Sequence, residues 1–518
     1  MNDSAPAVPA PALPVRTDTT ALLTDFSDRL SPILVKELRQ GLRQPTFVVA
    51  FLCLQVLLCI VVFVSVVSAP VGSQAGLRVG NTVSGFFFVL LAIAILVVQP
   101  LRGLNALATE IKADTLDLLL LTRLNSWRIT FGKWLALVSQ SALLVVAVFP
   151  YLILRYYLGG MQLFAELLAL LTLFVASASL TGVAVGFSAT ASLVIRGLVG
   201  LGLLFATLAL PNLVMVSLMR GSMGGRGGSP FAITLSTAAE VWVYAGCLQL
   251  LAFFGYYFLE MGATQIAPPA ENRSTCKRVV GLATLGVLLW LLPNDKSMLF
   301  ICWLLVSSLL IVDALSERPD FTTSVLRPFR RLGPLRYPAG ILLLPGWASG
   351  IFFALLLGGI TLALCLADML INPKDVTELL AFVPLWFATL LYPAAVVAVF
   401  MRKAKNLFSA YMIVCIASLV VALVFLIIGS STNTTQDMLL LVPLCPALGL
   451  MSFGEFSRVQ RAEGLLFVIA LLSCGVYWCV LFLRSVVHWT RIRAMDRALA
   501  PTPPAAVPPD PTDPTDAA

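Results

Sequence analysis

The chain has 518 residues, of which 59% are hydrophobic and only 12% are charged, and its net charge is +8. Soluble proteins carry about 25% charged residues, so this composition excludes a water-soluble domain and indicates a chain that crosses a bilayer many times. The basic residues stand between apolar segments and form no stripe interleaved with aromatic residues, which argues against nucleic acid as a partner.

The N-terminal residues are rich in Ala, Pro and Thr, and we predict a disordered tail over 1–28. Residues 29–45 have the pattern of an amphipathic helix, with Leu at every fourth position and charged residues between. Such a helix lies in the headgroup layer of a membrane, although a plain basic flank to the first span is the alternative. The residues assigned to this interfacial helix are Pro32, Lys36, Glu37, Arg39 and Arg43.

Twelve apolar segments approach the roughly 20 residues that a membrane-spanning helix needs. They predict an all-α, polytopic membrane bundle of about 12 helices, six in the region 46–259 and six in the region 279–483, joined by a cytoplasmic linker at 260–278. The first six are 46–68, 84–100, 134–154, 163–186, 197–216 and 238–259. The second six are 279–292, 298–315, 348–367, 378–400, 407–429 and 464–483.

Charge placement predicts the orientation of the bundle. With the N-terminus in the cytoplasm, 26 of the 34 Lys and Arg residues fall on the cytoplasmic side and 8 outside, so both termini are expected there. The segment 438–453 contains two prolines and is interpreted as re-entrant or interfacial, because a full crossing would move the following basic residues outside. Residues 484–518 are predicted to be a basic and then Pro-rich disordered tail.

Few charged residues fall within the spans, and those such as Glu166 and Asp313 are expected near span ends, where snorkelling lowers their cost. The lack of a central carboxylate argues against a proton-coupled transporter. Gln140 lies deeper and is interpreted as a helix–helix contact. A GxxxG pattern from Gly182 to Gly186 permits close helix approach and is a candidate dimer seam.

Metal, cofactor and catalytic sites are not expected. The ten cysteines lie mostly in apolar segments without a CxxC pair, so we interpret them as small core residues rather than disulfides or metal ligands. The single histidine, His488, cannot build a catalytic or metal cluster alone.

The segment 101–133 follows the second span and is too long for a simple turn and too amphipathic for a plain linker. A second helix is predicted to begin near Ser126. The apolar residues on one helical face are Leu104, Leu107, Ile111 and Leu118, and the polar residues on another are Asn105, Thr109 and Lys112. The alternative is an ordinary pair of surface helices whose charges are merely solvated.

The order of residues in this segment resembles the exporter-type (type 2) ABC permease family. That family carries, after its second span, a Glu followed by basic and small residues, then a Thr-Leu-x-Leu-Leu run, and a Gly-Lys that leads into the third span. The resemblance covers mainly residues 30–160, and Asp114 stands where the family usually has Gly. The matching residues, which become the candidate ATPase-coupling residues, are Glu110, Lys112, Thr115, Leu118, Leu119, Gly132 and Lys133.

The resemblance implies a non-enzymatic membrane subunit of a bacterial inner- or plasma-membrane exporter, docked to a separate ABC ATPase and able to pair as a homo- or heterodimer of permeases. Gly132-Lys133 is followed by Trp134 and has no Gly five residues earlier, so it is not a phosphate-binding loop. An ATP-independent transporter or flippase and a membrane scaffold are the alternatives.

Overall fold

A computed structural model describes most of the chain between residues 32 and 498. The described ranges are 32–67, 75–112, 125–158, 162–190, 237–268, 270–293, 295–318, 322–331, 336–371, 377–401, 406–432, 441–453 and 460–498, with single residues at 197, 200–202 and 235. Across these ranges the regular structure is helical, and 11 helices are long and apolar enough to cross a membrane. This confirms the predicted all-α polytopic bundle.

Among the described residues, the first half of the chain forms eight helices with defined bounds, and a π-helical turn at Ile93–Val98 joins the third to the fourth. They are α1 (Pro32–Arg43), α2 (Pro45–Val67), α3 (Ala75–Ala92), α4 (Gln99–Gly103), α5 (Ala108–Lys112), α6 (Ser126–Leu158), α7 (Leu163–Ser188) and α8 (Ala238–Ile266).

The described ranges of the second half contain nine further helices and a 3₁₀ turn at Thr323–Leu326. They are α9 (Ser274–Leu291), α10 (Lys296–Ser316), α11 (Arg327–Arg330), α12 (Arg336–Leu343), α13 (Trp347–Ile371), α14 (Thr377–Phe400), α15 (Leu407–Thr432), α16 (Pro446–Met451) and α17 (Gln460–Ala498).

The π-helical turn in the second span has a local cause in the sequence. A π-turn pairs each carbonyl with the amide five residues later, and for Ile95 that residue is Pro100, which has no N–H. The Ser177 hydroxyl donates a 2.6 Å hydrogen bond to the Ile95 carbonyl instead. The irregularity is therefore satisfied by α7, which fixes the end of the second span against it.

Helices α7 and α8 run in the same direction in close contact. A methyl group at Gly182 would lie 2.7 Å from the Gly255 carbonyl oxygen, and one at Gly186 would overlap the Phe258 carbonyl. The GxxxG pattern is therefore used inside the chain, against α8, and not as the dimer seam suggested by the sequence. The end of α7 and the start of α8 lie at opposite ends of the bundle, and most of the predicted span 197–216 falls outside the described residues.

Helix α8 joins two apolar cores. The first-half core packs α2, α3, α6 and α7 around residues such as Leu91 and Ile95, and the second-half core packs α9, α10 and α13–α15 around residues such as Val306. Phe253 and Tyr257 of α8 belong to the second core. The halves thus share a helix instead of being separated by a free linker.

Two predicted boundaries differ from the structure. The linker at 260–278 is shorter, because α8 continues to Ile266 and α9 begins at Ser274; the last helix also continues to Ala498, into the predicted tail 484–518. The predicted spans end where charged residues lower the hydropathy. In the structure the helices continue past these residues, because a charged side chain with a partner inside the protein can remain in a helix. Arginine is itself a good helix former, so the basic end of α17 stays helical.

The segment 438–453 is described from residue 441 and forms a turn followed by the six-residue α16. The Cys445 thiol donates to the Ser418 carbonyl, midway along α15, and the Tyr477 hydroxyl of α17 donates to the Pro443 carbonyl. This short helix therefore lies among longer ones, and its assignment as re-entrant stays a prediction.

Candidate functional site

An ion bridge joins three helices at one end of the first half. The Lys133 ammonium, in the second turn of α6, lies 2.9 Å from a Glu37 oxygen on α1 and 2.8 Å from a Glu110 oxygen on α5. The Lys133 side chain is 7% exposed, and those of Glu37 and Glu110 are 21% and 16% exposed. One cation thus holds α1 and the end of the second span against the third span.

The elements that carry this bridge are themselves fixed by the chain around them. Helix α6 begins at Ser126, as predicted, and the Ser126 hydroxyl donates a 2.7 Å hydrogen bond to Glu271 in the connection between the halves. The Leu107 amide, in the turn before α5, donates to the Ser188 hydroxyl on α7. Leu107 and Ile129 are buried side by side with α7 and α8. The helices that carry the bridge are therefore held in place by contacts with α7, α8 and the connection between the halves.

Arg102 of α4 occupies the neighbouring position and makes a different set of contacts. Its guanidinium donates to the side-chain oxygens of Gln99, Gln140 and Gln44. It also lies 5.7 Å from the centre of the Phe47 ring. All of its hydrogen-bond acceptors are neutral. Gln140, interpreted from sequence as a helix–helix contact, does link α6 to α4 through this arginine.

A polar cleft of about 560 Å³ opens between α1, α4, α5 and α6 over both groups. Its charged lining residues are Lys36, Glu37, Arg102, Glu110 and Lys133. Neutral amides and hydroxyls complete the walls: Gln40, Gln44, Asn105, Thr109 and Gln140.

The predicted site residues separate into four groups. Glu37, Glu110 and Lys133 meet in the ion bridge, and Gly132 is buried beside it in α6. The residues that remain on the surface are Lys36, Arg39, Arg43 and Lys112. Pro32 begins α1, whereas Thr115, Leu118 and Leu119 lie outside the described residues.

A second ionic cluster, which the sequence reading missed, is buried in the second half. The Lys277 ammonium lies 2.5 Å from an Asp313 oxygen and 3.4 Å from a Glu317 oxygen. The Tyr257 hydroxyl donates to the same Asp313 oxygen, and Arg278 donates to Glu317 at 2.7 Å. This cluster joins α8, α9 and α10.

The turn before α13 completes this buried cluster. Arg278 also donates to the carbonyls of Leu342 and Leu344, and the Gly346 amide donates to Glu317. Gly346 has φ of 106°, a conformation that favours glycine, so the turn that presents its amide depends on that residue. Burial alone would raise the pKa of Glu317, but Arg278, Lys277 and the Gly346 amide hold its pKa below the ordinary value.

The sequence predicts that charged residues near span ends snorkel to the water. This prediction is wrong for Asp313 and Glu166, because both side chains are buried. A spacing signal was present in the sequence. Asp313 and Glu317 are four residues apart, which places two acids on one face of the chain leaving α10, and Lys277 and Arg278 are adjacent at the start of α9. The sequence could not show that these two helix ends meet.

A second cavity, of about 490 Å³, lies next to this cluster at the same end of the bundle. Its walls come from both halves, including Ile111, Met261, Lys277, Glu317 and Phe408. It therefore combines charged groups on one side with apolar side chains on the other.

All ten cysteines are free, but Cys53, Cys59, Cys276 and Cys479 are exposed and do not lie in the core as interpreted from the sequence. Across the described part of the chain no three His, Cys, Asp or Glu residues are grouped to hold a metal ion. No family model, curated protein or solved structure matches the chain. The architecture itself defines the class: the chain is a multi-pass, α-helical membrane protein with buried and partly buried ionic clusters at one end of its bundle.

Proposed function

We propose that this chain is the membrane subunit of an ABC exporter, moved by ATP hydrolysis in a separate ATPase subunit. The observation that carries the proposal is the Glu37–Lys133–Glu110 bridge. It lies within and beside the segment 101–133, whose residues resemble the coupling region of exporter-type permeases. In this proposal that end of the bundle faces the cytoplasm, in accord with the distribution of basic residues.

The bridge gives the segment the properties of a lever. A force applied to the segment after α5 acts on Glu110, and Glu110 is bound to Lys133 of α6. Because Lys133 also binds Glu37, the force reaches α1 as well. Rigid elements with a shared contact move together, and interfaces between packed helices switch between discrete arrangements. An ATPase that docks on residues 113–124 would therefore tilt the second and third spans as a unit.

The same contacts support the need for a partner ATPase. Lys133 follows a glycine, as the lysine of a phosphate-binding loop does, but it lies inside helix α6 and its ammonium is engaged by two carboxylates. Energy for export would then come from a nucleotide-binding subunit outside this chain.

Affinity purification of the tagged chain from its native membrane in mild detergent tests the proposal. We expect a nucleotide-binding ATPase in stoichiometric amount. Glu110→Lys is a poor probe of docking, since it also breaks the internal bridge. Lys112→Glu and the double change Leu118→Ser with Leu119→Ser are sharper, and Arg493→Glu, an exposed cation at the same end of the bundle, is the matched control.

Loss of the ATPase in the first two variants, with retention in the control, supports docking on this segment. Reproducible absence of an ATPase from the intact wild-type complex overturns the proposal.

An ATP-independent transporter is the second candidate, and the buried Lys277–Asp313 pair beside the 490 Å³ cavity favours it. Buried ionisable residues at a cavity are typical of ion-coupled transporters. Proteoliposomes that contain this chain alone separate the two functions: gradient-driven transport without ATP supports the second candidate and contradicts the first.

A further inference from the structure

We infer that the polar cleft between α1, α4 and α6 binds the phosphate group of an anionic phospholipid headgroup. This inference does not depend on the exporter proposal. It follows from the charges of the cleft, from the groups left without a partner there, and from the position of the cleft beside an apolar helix face.

The charges in the cleft are unequally compensated. Glu37 and Glu110 both lie against Lys133, which leaves neither carboxylate assigned to Arg102. Arg102 is held by neutral oxygens only, and its Nε atom is buried without a hydrogen-bond partner. Lys36 lines the same cleft, is exposed, and forms no ion pair within the described ranges.

The cleft thus carries three cations against two carboxylates, and this excess of positive charge favours an anion with several oxygens. A guanidinium presents a planar fork of donors that matches phosphate, and a lysine adds a second positive charge. Amides such as Gln40 and Asn105 line the cleft and can bond the hydroxyl or ester oxygens of a headgroup. The chemistry of the site is thus that of a phosphate ester.

The surroundings of the cleft select a lipid rather than a soluble phosphate. Gln44 lines the cleft, and α2 begins at the next residue. Helix α2 exposes a continuous apolar surface from that point, which includes Val48, Leu52 and Val56 at 41%, 54% and 56% exposure. A phosphate in the cleft places acyl chains along this surface, at the depth where an interfacial helix meets a span.

Native mass spectrometry of the purified full-length protein, with added phosphatidylglycerol or phosphatidylcholine, tests the inference. We expect the wild type to retain phosphatidylglycerol in preference to phosphatidylcholine. Arg102→Gln should weaken retention of phosphatidylglycerol at least tenfold, and Lys36→Gln several-fold. Arg43→Gln removes an equal charge from α1 outside the cleft and should leave retention unchanged.

Two further arms protect the test. Arg102→Lys keeps the cation and should retain more lipid than Arg102→Gln, and Lys36→Gln disturbs no hydrogen bond of the described structure, so misfolding cannot explain both losses. Inorganic phosphate and ATP are added as soluble competitors. Displacement of the lipid by either at equal concentration overturns the choice of a lipid ligand. Equal losses in the Arg43→Gln and Arg102→Gln variants overturn the site itself.

Discussion

The Lys133 bridge of the first half and the Lys277 cluster of the second half use the same kinds of side chain but differ in charge balance and burial. In the first half one lysine serves two carboxylates, and the carboxylate side chains remain 16% and 21% exposed. In the second half Lys277 and Arg278 face Asp313 and Glu317, and all four side chains are less than 10% exposed.

This difference indicates different tasks. A buried, balanced cluster must keep every member, because removal of one leaves an uncompensated charge in a medium of low polarity. A partly exposed cluster with surplus negative charge contributes less to stability, since water competes for its members. We therefore expect the second-half cluster to hold the fold and the first-half bridge to position a movable element.

The largest expected effect comes from the buried cluster. Lys277→Met leaves Asp313 and Glu317 without their shared cation and should destabilise the protein by about 3–5 kcal/mol. Thermal unfolding in mild detergent measures the loss. The double variant Lys277→Met with Asp313→Leu removes a pair rather than one partner, so it should recover part of that stability; no recovery would contradict the assignment of a coupled pair.

The second-largest effect should come from the helix packing of the first half, since its ion bridge is expected to contribute little to stability. The close contact of α7 with α8 supplies that packing, so Gly186→Leu, which forces a side chain into the Phe258 backbone, should cost at least about 1–3 kcal/mol. Gly286→Leu is the matched control, because a side chain there meets nothing within 4 Å. Equal unfolding temperatures for the two variants would show that this seam is not tightly packed.

The bridge itself should have a small effect on stability and a large one on position. Lys133→Met is expected to lower the free energy of unfolding by less than Lys277→Met does, because the two carboxylates that it leaves are 21% and 16% exposed and stay in contact with water. It should nevertheless release α1 from α6, seen as faster hydrogen exchange of the α1 amides. Arg128→Met, an exposed cation on the same helix, serves as control. Unchanged hydrogen exchange in α1 would contradict the claim that the bridge couples α1 to α6.

The smallest effect is confined to acid conditions. Because the pKa of Glu317 is lowered by folding, its charged form stabilises the protein above the unfolded pKa of about 4.3, and this contribution is lost as the pH falls below that value. Glu317→Gln should be less stable at pH 7 and should lose less stability between pH 5 and pH 3. The same acid dependence in both proteins would contradict the shift.

Much of the architecture was readable from composition and hydropathy. The spans, the start of α6 at Ser126 and the amphipathic α1 follow from patterns within single helices, and these patterns survive burial because the bilayer and the helix period dictate them. The burial of Leu107 and the exposure of Lys112 also agree with the face assigned from periodicity.

The candidate site was only partly predictable. The sequence indicates Glu37 as part of an interfacial helix and Glu110 and Lys133 as coupling residues, but it does not predict their contact, because Glu37 and Lys133 are 96 positions apart in the chain. Arg102 was overlooked because a basic residue after a span is an ordinary topology signal. Its neutral surroundings depend on Gln44, between α1 and α2, and on Gln140 of α6.

By itself, then, the sequence determined that this chain is a helical membrane protein, because the cost of unpaired backbone groups in lipid leaves long apolar segments no other structure. It also determined where amphipathic helices begin, since that information is local. Only the tertiary structure decided which charges are neutralised and which are left over. The sequence around a charged residue near a span end looks the same whether its side chain reaches water or an ionic partner. The partner comes from another helix, whose position is set by packing.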